Sequence, residues 1–479
     1  MAKHKKSTFE RLQGQPLNRS QRRELGRRLE SANPGLEVVH RDAAAIDAGS
    51  ASHFVAVPPD RDERPVREFG SWTNALQQLV EWLRACRIRT VVMQSTGVYW
   101  IGLLEVLEAA GFEVFLVNAR GTKNLPGRKS DVQECQWLLK LHTYGLLRNS
   151  FRPSAPIRAA RTLWRQRLRL VAQAGETIQQ MQKALTTMNV QLSNSISDIA
   201  GKTGMSILRA ILKGERDPKA LAKLRHCSIH ASEAEIAACL EGNWNPEVLF
   251  ELRQVTETYD HIQRQILDCD LEVAKRMAAL PDAARKQEGE EVAQKTPGKV
   301  PAGSRARKKN QPHFELGAEL RRILGVDGTA IDGMDVLTWQ VIVTEVGTDL
   351  SAFPTENHFA AWAGLVPRPE ISGGKVIRHV KCEGSYRVGQ ALRMSAQALS
   401  RSDSYLGARY RSLRGKLGAP KANKAMARYL ACLVYRLLTK GKEYVDRGAA
   451  YFEKKREDRE LVMLQQKAAV RGMKLIPVV

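Results

Sequence analysis

The chain has no pair of cysteines spaced to build a zinc site or a disulfide framework. Its seven cysteines, at 86, 135, 227, 239, 269, 382 and 432, are scattered and odd in number. No CxxC spacing occurs, which argues against structural zinc and against a disulfide scaffold. Long apolar runs are missing too. None approaches the roughly 20 residues that a membrane-spanning helix needs, and no secretory leader is read at the start. Acidic residues are in short supply: 51 Asp and Glu stand against 75 Lys and Arg, a net charge of +24 over 479 residues. An excess of this size points to a polyanionic partner, because cationic surface releases counterions from a phosphate backbone. An anionic membrane is the rival. These absences lead to the expectation of a reduced, cytoplasmic, nucleic-acid-associated protein, with length for several domains and a sizeable core.

Residues 1–37 read as a basic flexible tail closed by Asn33-Pro34-Gly35. Residues 38–150 alternate strands with helices. Apolar runs at 43–46 and 53–57 flank a Gly-Ser turn and predict a hairpin. Leu76, Leu79, Val80 and Leu83 share one helix face, and residues 89–93 form a buried-strand pattern. A helix is expected over 99–110, a strand over 114–117, and a helix over 131–144 with Ser130 as its N-cap. The class is therefore α/β with a central sheet.

Residues 151–280 turn helical. Two long stretches, 157–192 and 246–280, carry apolar positions at helical spacing. They predict a coiled-coil arm, for which a plain bundle is the simpler alternative. Residues 281–315 break the pattern with a basic linker containing Arg305, Arg307, Lys308 and Lys309. Residues 316–455 return as a mostly α-helical domain. It opens on a segment, Ile331-Asp332-Gly333-Met334-Asp335, that is similar to a helix-hairpin-helix. Asp335 in its hairpin works against phosphate binding, and a structural turn explains the segment as well. Residues 456–479 form a charged C-terminal tail.

Three constellations carry chemistry. Asp47 closes the run 43–46, and Asp131 and Glu134 sit three apart on one helix face. Hard carboxylate oxygens of this kind hold Mg²⁺ for phosphodiester cleavage, if the fold brings them together. Asp-x-x-Glu on a solvated helix face accounts for the same spacing. Ser372, in Ile371-Ser372-Gly373-Gly374-Lys375, is followed by Arg378, Lys381 and Arg393, and cations around a serine would stabilise an alkoxide and a phosphorane-like transition state. Ordinary turn chemistry accounts for Ser-Gly-Gly. Arg120, Lys123, Arg128 and Lys129 lie in a basic loop that leads into the Asp131 helix, where a nucleic-acid backbone could pass. A solvated loop fits as well.

Taken in order, Met93-Gln94-Ser95-Thr96-Gly97-Val98-Tyr99-Trp100, Leu116-Val117-Asn118-Ala119-Arg120, Pro126-Gly127-Arg128-Lys129-Ser130-Asp131 and Trp362-Ala363-Gly364-Leu365-Val366-Pro367, ahead of the Ser372 motif, give the chain a family resemblance. The succession resembles bacterial insertion-sequence transposases that pair a RuvC-like (RNase H-like) Asp-Glu-Asp-Asp domain with a C-terminal serine transposase domain. These are the bridge-RNA-guided, or seekRNA-guided, recombinases. The resemblance spans roughly residues 40–455.

The resemblance implies a composite site. Mg²⁺ would be bound by Asp47, the Gln94 position, Asp131 and Glu134, and Ser372 would be the nucleophile forming a phosphoserine link to DNA. It implies a guide RNA that pairs with target and donor double-stranded DNA. It also implies a dimer built through the helical arm, a tetramer as the working assembly, and a bacterial cell in which the protein sits at the nucleoid. The chain departs from the family pattern in three places: Gln94 stands where Glu is usual, Glu134 where Asp is frequent, and the basic linker at 281–313 reads as an insertion. Gln94 keeps an oxygen donor and loses a charge. A metal-only RuvC-like nuclease or resolvase with a structural serine, and a weakened nucleic-acid-binding protein, remain the alternative readings.

Overall fold

The computed structural model describes residues 35–95, 97–118, 130–283, 310–372, 375–380, 386–441 and 448–474. The chain forms two compact units. Of the described residues, the first comprises those from 35 to 152 with the segments 368–372 and 375–380, and the second comprises those from 153 to 367 and from 386 to 474.

The first unit is built on a five-stranded sheet. Its strands are β1 (Ala43–Ala48), β2 (Ser52–Ala56), β3 (Val66–Gly70), β4 (Thr90–Gln94) and β5 (Glu113–Val117), in the order β3-β2-β1-β4-β5. The hairpin expected from the sequence is present, as β2 pairs antiparallel with β1. β4 and β5 add in parallel on the other side. This mixed sheet is consistent with a RuvC-like domain.

Residues 43–46 are fully buried, which the pattern of a central strand covered on both faces requires. One face packs on helices α1 (Thr73–Ala85) and α2 (Trp100–Ala109), through Ile46, Met93, Leu79, Leu83, Leu104 and Leu107. The other face packs on α3 (Asp131–Thr143), through Ala43, Ala45, Val92, Cys135, Leu138 and Leu139. The edge strand β3 has no sequence signature, because its five residues carry charge at Arg67 and Glu68 and are largely solvated. Backbone pairing with β2 holds it instead.

The second unit is helical and contains two 33-residue helices, α4 (Ala155–Thr187) and α8 (Pro246–Ala278). Between them in sequence lie α5 (Lys202–Leu212), α6 (Pro218–Ala222) and α7 (Glu233–Cys239). The long helices run antiparallel. Arg167 meets Asp270, Leu170 and Ala174 pack with Ile262 and Ile266, and Thr256 donates to the Met181 sulfur. The expected coiled-coil stretches thus correspond to two packed helices, joined at one end by a core that includes Ile207, Leu208, Leu221 and Ile236.

The remaining helices are α9 (Leu316–Leu324), α10 (Val336–Val346), α11 (Glu356–Trp362), α12 (Arg387–Ala398), α13 (Tyr405–Leu417), α14 (Ala419–Lys440) and α15 (Gly448–Val470). Glu345 on α10 accepts from Nε and Nη2 of Arg165 on α4, at 2.8 and 2.5 Å. The helix-hairpin-helix-like turn serves as a cap. Asp335 Oδ1 accepts from the Thr338 backbone N–H at 2.9 Å, so a carboxylate already occupies one of the amides at this helix start. Gly333 sits at φ +79°, and a Cβ there would meet the Ser395 carbonyl oxygen at 2.7 Å. No described helix is long and apolar enough to cross a membrane.

Between α11 and α12 the chain leaves the helical pattern for a two-stranded ribbon, β6 (Arg368–Ser372) and β7 (Lys375–Val380). The sequence predicts only a turn within a helical domain here, so the ribbon is a correction to that expectation. Its alternation is masked by charge at Arg368, Glu370, Lys375 and Arg378.

Candidate functional site

The site is positioned by sheet register. Ile46 pairs with Met93, so the next residues along these parallel strands, Asp47 and Gln94, end side by side. Successive side chains on a strand alternate between faces. Ala45 and Val92 pack under α3, so Asp47 and Gln94 are directed to that same face. The first turn of α3 then carries Asp131 and Glu134.

Cys135, directly after Glu134, fixes the helix over the sheet. Its Sγ lies 3.0 Å from the Ala45 carbonyl oxygen and 3.1 Å from that of Phe54, and burial pushes its thiol up to about 12. It is a structural donor and not a nucleophile. Ser130 caps α3 as the sequence predicts, accepting from the Gln133 backbone N–H at 3.4 Å.

The electrostatics reflect the same neighbourhood. The Asp47 carboxyl is raised from 3.8 to about 6, first by burial and then by the negative charges of Glu134 and Asp131. The charges of Glu134 and Asp131 oppose ionisation of Asp47 near the C-terminal end of the central strand β1, and a divalent cation relieves that repulsion. Gln94, 5% exposed, is the neutral neighbour of Asp47 on the adjacent strand. The donor set, all hard oxygen, fits Mg²⁺ or a similar cation in kind. Among the described residues, no three His, Cys, Asp or Glu side chains stand close enough to form a ready-made metal cage. Asp47, Asp131 and Glu134 therefore gather at the site without closing on it.

Ser372 ends β6, in register with Lys375 across the ribbon, and a register shift at Glu370/Ile371 interrupts the pairing just before it. The ribbon belongs to the same compact unit as the sheet. Lys375 and Arg378 are exposed on β7. Arg393, exposed on α12, belongs to the second unit. Arg120, Lys123, Arg128, Lys129 and Lys381 lie outside the described residues.

Sequence reasoning misses Cys135 as the residue that seats the carboxylate helix. A Cys next to Glu134 on the apolar side of the helix is its only trace in the sequence.

Two family models match the chain. Residues 44–190 match the IS110 DEDD transposase model, which covers Asp47, Gln94, Asp131 and Glu134. Residues 329–411 match a model described as Transposase IS116/IS110/IS902 family, which covers the Ser372 ribbon. No curated protein matches the chain.

Proposed function

Because the chain belongs to the IS110-type insertion-sequence transposases, we propose that it moves its element with two sets of groups acting together, the Asp47, Asp131 and Glu134 carboxylates and the Ser372 hydroxyl. The observation that carries this reading is that Asp131 and Glu134 lie near enough to Asp47, at the C-terminal end of the central strand β1, to raise its carboxyl, in the unit that also includes the Ser372 ribbon.

In this reading the Ser372 Oγ attacks the scissile phosphorus of a DNA strand. One P–O bond to deoxyribose breaks, the serine proton is lost to solvent or a base, and the departing strand oxygen takes up a proton. A phosphoserine diester conserves the bond energy. A hydroxyl from the strand to be joined then attacks the same phosphorus and returns the Ser372 hydroxyl. Asp47, Asp131 and Glu134, with Gln94 as a neutral donor, would hold Mg²⁺, which supplies charge neutralisation at the phosphate. Lys375 and Arg378 on the ribbon counter the charge that builds on the non-bridging oxygens.

The choice of DNA site is assigned to a guide RNA pairing with target and donor duplexes, the protein holding backbone and shape while base pairing reads sequence. The antiparallel helices α4 and α8 are assigned to self-association as a dimer, with a tetramer on two duplexes. The +24 net charge supports a polyanionic substrate of this size.

The test is trapping of a covalent protein–DNA adduct on denaturing gels. Wild type forms the adduct, Ser372→Ala forms none, and Asp47→Ala forms none or a trace. An adduct that survives Ser372→Ala ends the serine assignment and leaves a metal-only nuclease. Recombination by wild-type protein that persists after its copurifying RNA is digested ends the guide assignment.

A further inference from the structure

The C-terminal helices form a groove of unusual composition. On α13, Ala408, Arg411, Ser412, Gly415 and Lys416 recur at intervals of three and four, one continuous stripe of the helix. In a helix packed for stability such a stripe would carry large apolar residues. Here three positions are small and two are cationic. Gly415 has open space where a side chain would be, with nothing within 4 Å of its Cβ position. The opposite wall comes from α15, through Phe452, Glu453 and Arg456. The helices are held together beside the groove by Tyr405, whose ring meets Phe452 edge to face at 5.3 Å.

Charge is one-sided on the α13 wall, while α15 mixes Glu453, Glu457, Asp458 and Glu460 with Lys454, Lys455, Arg456 and Arg459. Between residues 405 and 428 the sequence has seven Lys or Arg and no Asp or Glu. Arg411, Arg414, Lys416, Lys421 and Arg428 are all exposed. Arg411 is also set in place, since one arm of its guanidinium donates to the Ser402 carbonyl oxygen at 2.6 Å. A guanidinium fixed in this way loses less rotamer freedom when it takes up an anion. A groove lined by small residues and by the cations Arg411, Lys416 and Arg456 fits a linear polyanion. Glu453 is the one acidic group on the wall, and it disfavours small multivalent anions that would need every side of the pocket.

We infer that the groove between α13 and α15, rimmed by Arg411, Lys416 and Arg456, binds the phosphodiester backbone of a nucleic acid. Most of it lies beyond the segments that match the family models, which end at residue 411. It is a second contact for the nucleic-acid substrate proposed above and rests on that reading. It grips backbone and reads no bases, because cations on a trough of this kind meet phosphates and not base edges.

The test uses the full chain and measures binding of fluorescein-labelled duplex DNA and single-stranded RNA, each 20 nucleotides long, by anisotropy across a salt series. The Arg411→Gln/Lys416→Gln/Arg456→Gln variant is expected to bind about tenfold or more weakly. Its slope of log K against log salt should be shallower by about 2–3, close to one unit for each phosphate that is no longer neutralised. Arg411→Lys, which keeps the charge, should hold the wild-type slope. The probe whose slope falls identifies the source, DNA or RNA. An unchanged slope on both probes, with wild type still binding, overturns the groove and leaves the proposed function standing. Wild type that binds neither probe overturns both.

Discussion

Asp47 and Gln94 lie side by side at the ends of neighbouring parallel strands, one step beyond the pairing of Ile46 with Met93. One is a carboxylate raised by burial and by its acidic neighbours, and the other is uncharged. Restoring a charge at that position strengthens a site for a hard cation, because affinity rises with the number of charged oxygen ligands. Gln94→Glu is expected to tighten Mn²⁺ or Mg²⁺ binding about tenfold in titration calorimetry, with the full chain and no nucleic acid. Unchanged or weaker binding would show that Gln94 does not face the cation.

Arg167 and Asp270 form a buried ion pair between the long helices, each 1% exposed. The second Asp270 oxygen accepts from the His313 backbone N–H and lies 2.9 Å from His313 Nδ1. Removing one partner leaves an uncompensated buried charge, so Asp270→Ala should cost on the order of 3–5 kcal/mol in chemical denaturation. Replacing both ions with apolar residues, Arg167→Met with Asp270→Leu, should cost less, because the His313 bonds are lost but no buried charge is left unpaired. Equal losses in the single and double variants would place the effect in the His313 bonds and helix packing and not in the charge.

His142 supplies a pH dependence. It is 1% exposed, its Nε2 lies 3.1 Å from the Thr90 hydroxyl, and its ring stacks on His40 at 4.3 Å. Burial, and then the neighbouring His40, pushes it from 6.5 down to about 3. The unfolded chain therefore binds a proton between pH 6.5 and 3 that the folded chain refuses. Stability contributed by neutral His142 is complete above that window and falls as pH drops through it, by up to about 1.4 kcal/mol per unit. Urea midpoints of wild type and His142→Gln, compared at about pH 7 and about pH 5.5, should diverge at the higher pH and converge at the lower. Parallel pH profiles would remove His142 as the source.

Asp335 separates two readings of one turn. As a cap, its loss in Asp335→Ala costs about 1 kcal/mol of stability, through the missing bond to Thr338. As an obstacle to a phosphate, its removal would tighten duplex DNA binding instead. The expected result is lower stability with unchanged affinity for the same labelled duplex, read by anisotropy.

Much of the first unit is legible without coordinates. The apolar runs at 43–46 and 89–93, the hairpin turn and the Ser130 cap each follow from local periodicity and capping chemistry, and they place β1, β2, β4 and α3. The long helices are legible for the same reason, since 33 residues of one periodicity leave little else to form. β3 is not legible, because two charged residues in a five-residue edge strand give no alternation to read. The ribbon is hidden by the same cause.

The sequence by itself determined which residues carry acid, base and hydroxyl chemistry, and that Asp131 and Glu134 share a helix face. It could not determine that Asp47 stands beside them. That depends on the register of β1 against β4, and on the Cys135 contacts that seat α3 over Ala45 and Phe54. A shift of one residue would turn Asp47 to the opposite face, into the apolar layer of α1 and α2. Side-chain type is a local property of the chain. Convergence of residues far apart in sequence is a property of packing, and only the folded sheet decides it.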